Sequence, residues 1–244
     1  MNHQNLVFWR NRRGLTSLVV GIFFLITAVP TYAKYKPKNR KPASGYSRSS
    51  GSRGCPGSQI PLTLLAPRTF VGRTASVRPI LAWYTSSDNN VGLRLFEFES
   101  DTRVKQVGKA QEIPSVTGIN TLKLPTNYSE LTVGKTYLWQ ITLDCPGGQI
   151  VKRAEFEVIN PQSVVKNKFT TIPEAVDYYA ENELWYEALE EALKTEGNNK
   201  KLSPTGSKLV QELAESELVI GTEIEIKNIK RRIGYLEMIS QESL

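Results

Sequence analysis

Between residues 60 and 159 the chain is cut into short runs of alternating apolar and polar side chains, and nothing else restricts its fold so tightly. The runs cover residues 60–66, 78–85, 91–98, 102–108, 118–124, 135–145 and 149–159. Turn formers separate them: Pro67, Gly72, Ser86 to Asn90, Gly108, Pro125-Thr126-Asn127 and Pro146-Gly147-Gly148. Successive side chains of a strand point to opposite faces. Tyr137, Trp139, Ile141 and Leu143 therefore share one face, as do Val151, Arg153, Glu155 and Glu157, with Ala154, Phe156 and Val158 on the other. Seven such strands spaced by turns predict an all-β sandwich over residues 55–160.

After Asn160-Pro161 the period changes, and a small α-helical region is expected over 161–244. Thr171-x-x-Glu174 reads as a capping box, with Pro173 tolerated in the first turn. Val176, Tyr179 and Ala180 form one helical stripe, and Trp185, Ala188, Leu189, Ala192 and Leu193 a second. Ser203-Pro204 starts another helix, with Leu209, Val210, Leu213 and Ala214 on its apolar side and Gly221 as its stop. Thr222-x-x-Glu225 caps a last one carrying Ile226, Ile229, Ile233 and Leu236. Trp185, Tyr186 and Leu189 are the candidate anchors for a partner, against the plainer reading that Trp185 is ordinary core.

The formal charge of +7 is concentrated before the folded part. Arg10, Arg12 and Arg13 precede 15 apolar or small residues at 15–29, then Pro30 and Thr31-Tyr32-Ala33. That is the layout of a signal peptide, residues 1–33, cleaved after Ala33. The run is shorter than the roughly 20 residues of a membrane span. Residues 34–54 add seven cations and no acid, which leaves −3 for residues 55–244. Nucleic acid is therefore a poor partner. The 34–54 arm has few apolar side chains and is expected to be disordered, free to touch anionic surfaces. Cleavage also removes His3, the single histidine, and with it any imidazole-based nucleophile activation or histidine-ligated metal site. Cys55 and Cys145 both stand before Pro-Gly. In an exported chain, periplasmic or extracellular, two cysteines are expected to form one structural disulfide.

Some residues also carry a resemblance. Arg78-Pro79-Ile80-Leu81-Ala82-Trp83-Tyr84 resembles the second strand of fibronectin type III and immunoglobulin-like domains. Leu131 to Tyr137 resembles their Leu-x-x-Gly-x-x-Tyr entry into the sixth strand. The resemblance implies that Trp83, Tyr137 and Trp139 are scaffold, with the Tyr137 hydroxyl bonded to backbone just upstream. Gly54-Cys55, the Trp83-Tyr84 strand, the Gly134-Lys135-x-Tyr137-x-Trp139 strand ending in Cys145, and Tyr179-Ala180 to Leu189 resemble a cyanobacterial family. It is catalogued as domain of unknown function 928, and the similarity runs over about 55–220. It implies an exported protein and supplies no catalytic residues.

Chemistry is sparse. Glu97 with Glu99, and Glu155 with Glu157, are carboxylate pairs two apart on strands. A glycosidase-type mechanism would need two acids about 5–10 Å apart in one cleft. Asp88-Asn89-Asn90 lacks the ligand spacing of a calcium loop. No cofactor, metal or catalytic residue is expected. The expectation is a non-enzymatic envelope protein, a scaffold or module that binds another envelope protein. The alternatives are a wall- or glycan-binding module using Tyr84, Tyr128 and Tyr186, and, further behind, a carboxylate hydrolase.

Overall fold

A computed structural model describes residues 35–38, 40–48, 55, 58–163, 168–194 and 201–242. The expected signal segment 1–33 lies outside the described residues. Among the described residues, eight strands form two sheets. The smaller has the order β1 (Thr63–Leu64), β3 (Ile80–Thr85), β6 (Gly118–Lys123). The larger has the order β2 (Gly72–Thr74), β8 (Gly148–Val158), β7 (Thr136–Cys145), β4 (Asn89–Ser100), β5 (Arg103–Ser115). All neighbours are antiparallel except β2, which pairs parallel to β8. The seven sequence-predicted strands are all present. The additional β2 has three residues, too few for an alternation signal.

Gly108 differs from its sequence reading. It does not end a strand; it is a bulge inside β5, with φ +66°, where the register steps from Leu95↔Val107 to Leu93↔Gln111. A Cβ there would lie 2.7 Å from the Tyr128 ring, so both backbone angle and space demand glycine.

The two sheets close on Trp83 and Trp139, both fully buried. Trp83 Nε1 donates to Ser115 Oγ at 3.2 Å, and Trp139 Nε1 to the Tyr186 hydroxyl at 3.2 Å. Buried indole N–H groups need such acceptors. The Tyr137 hydroxyl accepts from Thr132 N at 2.9 Å, a tyrosine corner, and donates to Glu97 at 3.2 Å. Cys55 and Cys145 are joined across a sequence separation of 90. In the chain-entropy picture a loop of that size contributes about 3–5 kcal/mol.

Among the described residues, five α-helices complete the fold: α1 (Gly45–Arg48), α2 (Ile172–Glu181), α3 (Trp185–Ala192), α4 (Pro204–Ser216) and α5 (Glu223–Gln241). Ser203 and Thr222 cap α4 and α5, and Thr222 with Glu225 makes a complete capping box. At α2 the box is half made. Thr171 accepts from Glu174 N, but the Glu174 carboxylate reaches back to Thr170. The helices do not stand apart from the sandwich. The described residues fall within one compact unit, so the expected division at 160 is a change of secondary structure within one core.

One buried ion pair joins the parts. Glu217, just past α4, accepts from Arg68 N (3.0 Å), Thr69 N (2.9 Å), Thr69 Oγ1 (2.6 Å) and Arg232 Nε (3.1 Å). Arg232, on α5, spends its other donors on Leu64 O (3.1 Å) and Ala66 O (2.6 Å). The end of α4, the middle of α5 and the β1–β2 segment are thereby clamped together.

The basic arm corrects an expectation. Residues 34–54 were expected to be disordered, yet their described part is packed. Tyr35 is 1% exposed, its ring 4.9 Å from that of Trp185 and its N–H bonded to Glu212 at 2.9 Å. Pro42 bridges to Phe70, and Ala43 N and Lys41 O bond to Thr69 and Val71. The physical reason is alternation. Tyr35 and Pro37 point inward while Lys36 and Lys38 point out, so a charged segment still buries an apolar edge.

Arg232→Met should strand the Glu217 charge and lower the unfolding free energy by about 3–5 kcal/mol in urea denaturation. Adding Glu217→Gln should restore part of that loss, because the stranded charge is gone.

Candidate functional site

Trp185, Tyr186 and Leu189 were expected as partner anchors, and the structure corrects this. All three are at most 1% exposed. Glu183, with φ +63°, separates α2 from α3 and turns α3 onto the sandwich. Trp185 Nε1 donates to Leu65 O at 2.9 Å, and the Tyr186 ring lies 5.0 Å from Phe156. Burial raises the Tyr186 phenol well above its ordinary pKa. These residues bind the molecule to itself. Trp185→Ala should therefore destabilise the whole chain by about 3–5 kcal/mol, read from the thermal and urea midpoints. Trp83, Tyr137 and Trp139 are buried in the sandwich core as scaffold. Tyr84 and Tyr128 are also buried, so with Tyr186 they form no aromatic platform.

Three of the strand carboxylates singled out in the sequence have donors in place. Glu155 accepts from Ser44 N at 3.1 Å and from its hydroxyl. Glu99 pairs with Arg103 at 2.7 Å, and Glu97 with Lys135 at 3.4 Å. Glu99, Asp101 and Glu155 line one open cleft between residues 41–45, 98–101 and 134–136, and Lys41 and Lys135 line it too. Asp88 takes Thr117 N (2.7 Å) and Oγ1 (2.9 Å), bonds that hold its carboxyl below the usual range, so it ties two turns together. Glu187 takes Thr74 Oγ1, Ala75 N and Ser76 N, fixing α3 to the end of β2, and burial raises its carboxyl above the usual range. Among the described residues no group of three or more His, Cys, Asp or Glu is placed to hold a metal. Nor is any helix among them long and apolar enough to cross a membrane.

Among the described residues, the fold leaves sheet edges available, that of β5 among them. β5 is the outermost strand of the larger sheet. Its second half is covered: the Tyr128 hydroxyl donates to Lys109 O at 2.8 Å, and Gln111 bonds Asn127 at 2.9 Å. Residues 103–107 pair with β4 on one side. On the other side, among the described residues, no backbone hydrogen bond reaches them. Lys105 and Lys109 are exposed beside this stretch. Sequence reasoning missed the edge because it took Gly108 for a strand end; the apolar positions Val104, Val107 and Ile113 on either side were the signal available.

A sandwich of this topology invites comparison with solved folds. The chain is similar to the third fibronectin III domain of the human KIAA0343 protein, at 10% identity and a TM-score of 0.25. That alignment covers 50% of this chain and 98% of the other. Comparison with curated proteins finds no match. The sequence pattern of one family does match, over residues 44–220, from just before α1 to the loop after α4. The chain belongs to the family described as Domain of Unknown Function (DUF928).

Proposed function

We propose that the mature chain is an exported, non-enzymatic binding module that receives an extended acidic segment of an envelope protein along the open edge of β5. The observation that carries this reading is the half-open edge at residues 103–107, whose backbone groups on that side bond to no other strand among the described residues. Five residues is an ordinary strand length. In strand addition the main chain supplies affinity and flanking side chains supply selectivity. Lys105 and Lys109 discourage the same edge from pairing with a second copy, and they favour a partner of opposite charge. Export rests on the signal-like residues 1–33 and is supported by the Cys55–Cys145 disulfide.

The reading is tested with a photo-crosslinking amino acid at Gln106, in cells that export the chain, beside a control at the exposed Thr121 of β6. A defined protein adduct at Gln106 that is absent at Thr121, and that Lys105→Glu/Lys109→Glu weakens at least tenfold, is expected. Equal adducts at both positions, or an adduct indifferent to the charge reversal, would overturn the proposal.

A further inference from the structure

The mixed-charge cleft beside the arm has the dimensions of a ligand site. Its open volume is about 490 Å³, within the range of about 300–1,000 Å³ typical of small-molecule sites. The arm forms one wall, the end of β4 a second and the approach to β7 a third, with the buried Glu155 of β8 in the lining. These walls are held in place. Pro42 bridges to Phe70, and Ala43 N donates to Thr69 O. The Tyr46 ring stands edge-on to Phe98 at 6.1 Å, and its hydroxyl donates to Thr102 O at 2.9 Å, which ties the arm to the β4–β5 turn. A ligand entering such a cleft does not have to order it first.

Most of the charges in the lining are already engaged. Glu155 accepts from Ser44, Glu99 pairs with Arg103 at 2.7 Å, and Lys135 pairs with Glu97 at 3.4 Å. The side chains of Asp101 and Lys41 have no ionic partner among the described residues, and they are of opposite sign. The cleft therefore presents no dominant charge. A charged ligand would have to compete with the pairs already made, whereas a hydroxyl need not. A carboxylate has about four lone-pair sites and an ammonium three N–H donors, so each paired group can still take an O–H or an oxygen.

We infer that this cleft binds a neutral saccharide, whose hydroxyls donate to Asp101 and accept from Lys41 while a ring C–H face packs on Phe98. Ser100 and Thr136 add hydroxyls that can serve as donor or acceptor. Phe98 is half-buried and supplies an aromatic ring, whose negative π face suits the weakly positive C–H groups of a sugar ring. An aromatic ring beside side chains of both hydrogen-bonding senses matches a molecule that is polar at its rim and apolar across its face. The site is separate from the open edge of β5, and neither reading rests on the other.

The test is calorimetric titration of the chain from residue 34 with maltose, cellobiose and diacetylchitobiose as neutral probes. Galacturonic acid serves beside them as an anion, glucosamine as a cation and glycylglycine as a zwitterion. Saturable binding of at least one neutral disaccharide, tighter than that of any charged probe, is expected. Phe98→Ala and Asp101→Asn should each weaken it at least tenfold, while Thr121→Ala on β6 leaves it unchanged. Asp101 is exposed in a turn, so Asp101→Asn keeps the test open should Phe98→Ala fail to fold. No saturable heat with any neutral probe, tighter binding of a charged one, or binding that either substitution leaves unchanged in a folded chain would overturn the inference.

Discussion

The Glu217–Arg232 pair decides how the rest of the molecule is assembled. Neither charge is tolerable alone at this depth, and each is satisfied only when three separate pieces of chain are in place. Glu217 needs the backbone of Arg68 and Thr69, and Arg232 needs the carbonyls of Leu64 and Ala66. Those backbone groups belong to the β1–β2 segment, which crosses between the sheets. A buried pair of this kind adds little net stability over apolar packing, but a misplaced partner is heavily penalised. It thus acts on arrangement: α4 and α5 are held on the sandwich in one position.

The arm and α3 follow from that position. With the β1–β2 segment fixed, Phe70 and Leu65 present an apolar ledge, and Tyr35 and Trp185 meet over it, with Leu65 O taking the Trp185 indole proton. The arm then continues along the larger sheet, where Ser44 closes the carboxylate of Glu155. A chain that looks in composition like a charged tail, a sandwich and a helical appendage is bound into a single core. Among the described residues, the outward-facing chemistry includes the half-open edge of β5 and a mixed-charge cleft.

Much of the fold was legible from the residues because it rests on local rules. The alternation of β7 and β8, the Ser203 and Thr222 caps, and the Leu131-to-Tyr137 motif each describe a few neighbouring residues, and each is found in place. What was illegible depends on partners far apart in sequence. Tyr35 is buried by Phe70 and Trp185, and Glu217 is neutralised by Arg232 and backbone 148 residues away. Trp185 was visible as an apolar anchor, but not which surface it anchors to. The burial of Lys152 in β8 was hidden by its own polarity, since a lysine in a period-two strand is naturally read as a solvent-facing residue. Gly108 misled because a bulge and a turn share one requirement, a positive φ.

The central claim is that arm, sandwich and helices form one cooperative unit held at the Glu217–Arg232 joint. Native-state hydrogen exchange over the chain from residue 34 addresses it directly. The account predicts that amides of β3 and β7, of α3 and α4, and of Ala43 and Val71 open with the same free energy and the same denaturant dependence. Exchange of the α4 and α5 amides, or of the arm, through a separate opening well below the global free energy would contradict it.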